Sequence, residues 1–237
     1  MGNLNTKKND FTSINNYKNK KIYLKRVSST KNKNFENSNE FKKNFFPVLF
    51  HEALLNLNLL EKSLNKPKII NISRHPVDLI LSWVKKKYGD QHYSTKTNTV
   101  CTYNYNSKQL PFFCLGIEND IMKQKTTEDR ILLMIFNMNK IFKKNYYKTK
   151  NKEKIILIKY DSFVSNPYKN LDYICKKFKL TKTNFLKDVL KEQKCPRSIN
   201  LDKRNNDYKI IISKLSNKNK IIFKKMIHEY ESNIITF

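Results

Sequence analysis

Two short apolar runs constrain this chain more than any other feature. Ile69–Ile72 lies within KIINISRHP and Ile155–Ile158 within KIILIKY. Both are rich in β-branched residues, too short for helices and bounded by polar residues, so each reads as a buried strand. Each gives way to an amphipathic series behind a proline. After Pro76 come Val77, Ile80, Leu81 and Val84; after Pro167 come Leu171, Ile174, Cys175 and Phe178. Proline suits the first turn of a helix, where its missing N–H costs nothing. Buried strands alternating with amphipathic helices predict an α/β fold, a central parallel sheet flanked by helices on both faces. Ligands of such sheets sit beyond the carboxyl ends of the strands, which here carry Arg74 and Asp161.

The other segments are placed around that frame. Residues 1–20 read as a loosely ordered polar lead, and residues 21–237 as a single domain. Short strands are expected at Lys21–Arg26 and at Phe45–Phe50, the latter on an edge because of Pro47. Leucines at threes and fours predict a helix over His51–Ser63. Gly89 is expected to end the helix that begins at Pro76. Residues 90–116, with Tyr93, Tyr103, Tyr105, Phe112 and Phe113, read as a long aromatic loop. Thr126 and Asp129 form a capping box before a helix over about 127–143. Asp161–Pro167 reads as a turn, and Ser216–Tyr230 as a helix. KCPRSINLDKRNN, residues 194–206, reads as a solvated basic loop.

The net charge of +28 favours an anionic partner. Of 48 basic residues only five are arginine, at 26, 74, 130, 197 and 204. Lysine enrichment accompanies abundant asparagine and isoleucine, a compositional bias that explains much of the charge without function. The arginines carry more information, because the planar guanidinium grips phosphate in a fixed geometry. No helix-turn-helix signature, zinc finger or RNP sequence supports a nucleic-acid-binding module, so no nucleic-acid partner is expected. Cys101, Cys114, Cys175 and Cys195 lack metal-ligand spacing, so no metal is expected. No apolar run reaches membrane-spanning length and the start is polar, which reads as a cytoplasmic protein.

At the first strand end, Pro76 pre-sets helical φ and Asp78 suits the positive helix terminus. An anion there would meet Arg74, free backbone N–H groups and the helix dipole together. The plainer alternative pairs Arg74 with Asp78 and leaves Ser82 an ordinary helix residue.

IINISRHPVDLILSWVKKKYG resembles the 3′-phosphate-binding motif of the sulfotransferase superfamily, a strand running into R-x-P-x-D-x-x-x-S, here Arg74, Pro76, Asp78 and Ser82. KIILIKYDSFVSNPYKNLDYICKKFKL is similar to a later strand, acidic turn and Asn-Pro-led helix of the same family. FPVLFHEALLNLN and QLPFFCLGIENDI also look like segments of bacterial members, so the resemblance covers about residues 45–180. It implies a P-loop nucleotide-hydrolase-like fold, the co-substrate 3′-phosphoadenosine 5′-phosphosulfate, no metal, and a hydroxyl acceptor such as a carbohydrate. Arg74 and Ser82 would bind the 3′-phosphate. His51, or failing that Glu52, would serve as catalytic base. The family's 5′-phosphosulfate loop has its nearest counterpart in KRVSSTKN, where Arg26, Ser28, Ser29, Thr30 and Lys31 replace the usual cation and hydroxyls. That loop lacks glycine, so close backbone approach to phosphate is not assured. A catalytically impaired nucleotide-binding member is therefore the alternative reading, and a basic nucleic-acid-binding protein a more distant one.

Overall fold

The computed structural model describes residues 4–5, 34–35, 53–64, 67–91, 102–182 and 186–232. The chain divides into two units, residues 1–51 and 52–237. In the first, β1 (Leu4–Asn5) pairs antiparallel with β2 (Asn34–Phe35). The expected strands at Lys21–Arg26 and Phe45–Phe50 lie outside the described residues.

The second unit is mixed α/β and mostly helical. A 3₁₀ turn, Ala53–Asn56, leads into α1 (Leu57–Ser63). β3 (Ile69–Ser73) is followed by α2 (Pro76–Lys85) and the single turn α3 (Tyr88–Gln91). β4 (Thr102–Tyr105) and β5 (Lys108–Pro111) form a hairpin, followed by the short α4 (Glu118–Met122) and the long α5 (Thr127–Lys148). β6 (Ile155–Lys159) opens directly into α6 (Tyr160–Ser165), and α7 (Pro167–Phe178) and α8 (Leu186–Glu192) come next. α9 (Leu201–Lys214) and α10 (Asn217–Glu231) complete the described residues.

The two apolar runs pair as expected. β3 and β6 are parallel, with Ile69 opposite Ile155 and Ser73 opposite Lys159. In this register Ile156 and Ile158 share a face and pack on Ile174 and Phe178 of α7. Ile155, on the other face, joins Leu57, Phe113, Met138 and Phe142. Among the described residues the parallel sheet has these two strands. Ile70 and Ile72 of β3 remain 42% and 48% exposed.

α5 organises the core. Ile131, Leu132, Met134, Ile135 and Phe142 are fully buried, each contributing about 1.5–3 kcal/mol. They divide between the cluster holding Leu57 and Phe113 and a second holding Val77, Ile80, Ile211 and Phe223. The Thr126 hydroxyl caps α5 by accepting the Asp129 N–H at 3.1 Å. The Asp129 carboxylate in turn accepts the Ser216 N–H at 3.1 Å and the Asn219 amide at 2.7 Å, tying α5 to the start of α10.

Four expectations change. The aromatic stretch is not a plain loop: its described part is the hairpin, turning at Asn106 and Ser107 with φ of 46° and 62°. Phe113 is fully buried and so is not offered to a ligand, and Phe112 packs beside it, partly buried. Asp161–Pro167 is not a simple turn, because Val164 is buried and holds residues 160–165 in a helix. α2 does not stop at Gly89: Lys87 takes the left-handed conformation, φ 56°, and Gly89 is buried within α3. The stretch after Asn200 is helical, since the Asn200 side chain accepts the Lys203 N–H at 2.8 Å and caps α9.

Candidate functional site

The carboxyl ends of β3 and β6 adjoin in the register, and the chain turns there into α2 and α6. Three of the five arginines meet at this point. Arg74 follows β3 directly, and its guanidinium carbon lies 5.5 Å from the centroid of the Tyr160 ring, the first residue after β6. Arg197 lies 5.8 Å from the same centroid, and its Nη2 donates to the Tyr160 hydroxyl. Its backbone N–H donates to the Val164 carbonyl of α6 at 2.9 Å, which anchors the segment before α9. Arg74 and Arg197 are both exposed, and neither forms an ion pair among the described residues. Two guanidinium groups about one tyrosine concentrate positive charge at the strand ends. Cation–π attraction to the ring offsets part of the cost of holding that charge together.

Arg204 has a different role. From α9 it donates through Nη1 to Asp161 Oδ2 at 2.8 Å and through Nη2 to Asp161 Oδ1 at 3.0 Å. Nη2 also donates to Asp78 Oδ2 at 2.6 Å. Only 11% of its side chain is exposed. Burial opposes its charge, but the bonds to Asp161 and Asp78 outweigh burial and raise its pKa above the ordinary value. One side chain therefore ties together α2, α6 and α9. This overturns the reading of residues 194–206 as a solvated loop. It also removes the proposed Arg74–Asp78 pair, because Asp78 is bonded to Arg204.

His75 caps α2. Its Nδ1 accepts the Val77 N–H at 3.3 Å, and its carbonyl accepts the Leu79 N–H at 3.0 Å. Pro76 has no N–H to offer. The helix terminus thus lacks the open row of amides expected at Arg74, because the histidine ring occupies one of them. With Nδ1 accepting, the proton of the neutral ring resides on Nε2, 3.8 Å from Glu231 Oε1. Burial lowers the His75 pKa below 6.5, and the Arg204 charge lowers it further. The negative Asp78, Asp161 and Glu231 act in the opposite sense.

Ser82 lies two turns along α2, half-buried, and no contact joins it to Arg74. His51, Glu52, Arg26, Ser28, Ser29, Thr30 and Lys31 lie outside the described residues. Arg197, Tyr160 and Arg204 were absent from the sequence-derived site. The rarity of arginine in a lysine-rich chain, and the basic character of residues 194–206, pointed at the two arginines, and neither pointed at Tyr160. Among the described residues no group of three or more His, Cys, Asp or Glu side chains is arranged to hold a metal. No helix among them is long and apolar enough to cross a membrane.

Compared with known proteins, the chain matches no family model, no curated protein and no solved structure.

Proposed function

We propose that this chain binds 3′-phosphoadenosine 5′-phosphosulfate and transfers its sulfuryl group to a hydroxyl acceptor. The observation that carries this reading is the convergence of Arg74 and Arg197 on Tyr160 at the carboxyl ends of two parallel strands. Two exposed guanidinium groups without carboxylate partners fit a phosphate dianion. Charge-assisted bonds from each, about 1.5–3 kcal/mol, hold it in place. Arg74 belongs to the R-x-P-x-D-x-x-x-S resemblance, and Arg197 arrives from the late basic segment. Arg204 fixes α2 and α6 so that Arg74 and Tyr160 keep their spacing. Ser82 adds a hydroxyl where the ligand reaches along α2.

β3 and β6 are part of a larger central parallel sheet with helices on both faces. The exposed Ile70 and Ile72 support this, since an apolar strand face favours a covering element. The donor, when bound, supplies the sulfuryl group and a bisphosphate nucleotide as leaving group. His51, or Glu52 if not His51, takes the proton of the acceptor hydroxyl. The role of binding the 5′-phosphosulfate falls to Arg26, Ser28, Ser29, Thr30 and Lys31 by the same resemblance. The acceptor is an alcohol, a carbohydrate being one such. The absence of glycine from residues 25–32 favours a second reading, nucleotide binding without turnover.

Calorimetric titration with adenosine 3′,5′-bisphosphate tests the binding. Arg74→Ala and Arg197→Ala should each weaken it about tenfold to a hundredfold, and Ser82→Ala less, about 1 kcal/mol. Binding of adenosine 5′-phosphate, which lacks the 3′ group, should not change. Equal losses for the two nucleotides refute the site. Transfer of labelled sulfate to an alcohol then separates turnover from binding alone.

A further inference from the structure

A cleft of about 610 Å³ opens beside the same strand ends, and Arg74, Tyr160 and Arg197 take no part in its walls. Leu201, Tyr208 and Ile227 of α9 and α10 supply most of its apolar surface, over the buried Val77 and Tyr230. Lys159, the last residue of β6, enters it from below. The next residue, Tyr160, stands against Arg74 instead, so the two features are separate.

The charges of the cleft are unevenly committed. Arg204 is neutralised by Asp78 and Asp161. His75 is buried, edge-on to Tyr230 at 5.1 Å, with its Nε2 towards Glu231. The Tyr230 hydroxyl is buried beside Asp161, and burial followed by that negative charge raises its pKa, so it stays protonated. Lys224 and His228 also line the cleft, both exposed on α10. The Lys159 ammonium differs from all of these in lying over the face of an aromatic ring. It stands 4.8 Å above the Tyr230 ring and donates to the Glu231 carbonyl oxygen at 3.4 Å. No carboxylate among the described residues lies within 4.0 Å of it. Burial lowers its pKa, and the opposing charges of Asp161 and Glu231 do not fully compensate.

We propose that this cleft is a binding site for a flat apolar molecule carrying one carboxylate. The ring lies against Leu201, Tyr208 and Ile227, and the carboxylate pairs with the Lys159 ammonium. The cleft has the size of a small-ligand site, and its walls mix apolar side chains with charged ones, Lys159, Asp161, Arg204, Lys224 and Glu231 among them. The partly desolvated ammonium gains a counter-ion at the point where it has a backbone oxygen and an aromatic face. The site does not depend on the nucleotide-binding reading.

Calorimetry on the full chain with 2-naphthoate and its neutral counterpart 2-naphthamide tests it. Naphthoate should bind at least tenfold tighter than naphthamide. Lys159→Met keeps most of the apolar stem, and should make the two probes equal. Lys159→Arg should preserve the preference, and serves as the second variant where Lys159→Met fails to fold. Ile227→Asp should weaken both probes. Lys225→Met, exposed on α10 and outside the cleft walls, should behave as the unaltered chain. Adenosine 3′,5′-bisphosphate should not displace naphthoate, and Arg74→Ala should leave it bound. Equal affinity for the two probes, no binding of either, a preference that survives Lys159→Met, or loss of the preference in Lys159→Arg or Lys225→Met overturns the proposal. Competition by the bisphosphate also overturns it, because the probe would then report the arginine pair.

Discussion

Arg204 holds two carboxylates that would otherwise repel across the end of the sheet. Removing it leaves Asp78 and Asp161 together in a mostly buried place, 24% and 21% exposed. Arg204→Met is expected to destabilise the fold by about 2–3 kcal/mol, less than for a fully dry pair. The melting temperature should fall by roughly 5–10 °C. Adding Asp78→Asn and Asp161→Asn to that variant should restore much of the loss, because the uncompensated charges disappear with the cation. A triple variant no more stable than Arg204→Met alone contradicts this account. His75 gives the second expectation at this scale. Its folded pKa lies below the unfolded value of 6.5, so the unfolded chain takes up the proton first as pH falls. The stability from the neutral ring is therefore complete above 6.5, declines as pH drops below it, and levels off below the folded pKa. Melting temperatures between about pH 7 and pH 5 should fall less steeply in His75→Gln than in the unaltered chain.

At the scale of elements, α3 and α5 meet through Gly89. A Cβ built there would lie 2.7 Å from Thr127 Cγ2 and 2.9 Å from Ile131 Cγ1. Ile131 is fully buried and cannot yield cheaply. Gly89→Ala should cost about 1–3 kcal/mol through overpacking, read as a lowered denaturation midpoint with unchanged slope. Thr127→Ser removes the nearer methyl and should relieve part of that cost. The reason for this glycine was not legible in the sequence, where Tyr88-Gly89 reads equally well as a helix stop. The strands were legible, because β3 and β6 are apolar runs cut off by polar residues. So was the cap of α5, which is a local interaction. The hairpin was not, because its turn uses Asn106-Ser107 without glycine and its burial alternates weakly. α9 was hidden by its polar face, since Ile211 is its buried residue and its clamp reaches partners 43 and 126 residues away. Spacing along one chain carries no record of such pairings.

At the scale of the whole molecule, the +28 charge opposes compaction everywhere. Raising sodium chloride from about 0.05 M to about 0.5 M shortens the screening length to a few ångströms. The melting temperature should rise by a few degrees, through relief of lysine–lysine repulsion. The Arg204 clamp gains little from salt, being shielded from it, so the rise should persist in Arg204→Met. A fall in melting temperature with salt would mean that exposed ion pairs outweigh the repulsion. Exposed pairs such as Lys182–Asp172 are too few to do so among the described residues.

The clamp also sets an order in time. Asp78 and Asp161 emerge from the ribosome before the cation that joins them, and Arg204 follows Asp161 by 43 residues. At roughly 5–20 residues per second that interval is about 2–9 s. During it the strand ends can pair, but they carry two unneutralised carboxylates, and α2 and α6 have no common anchor. Completion of this end of the sheet is therefore a late event in synthesis, gated by the arrival of α9 and not by the strands themselves.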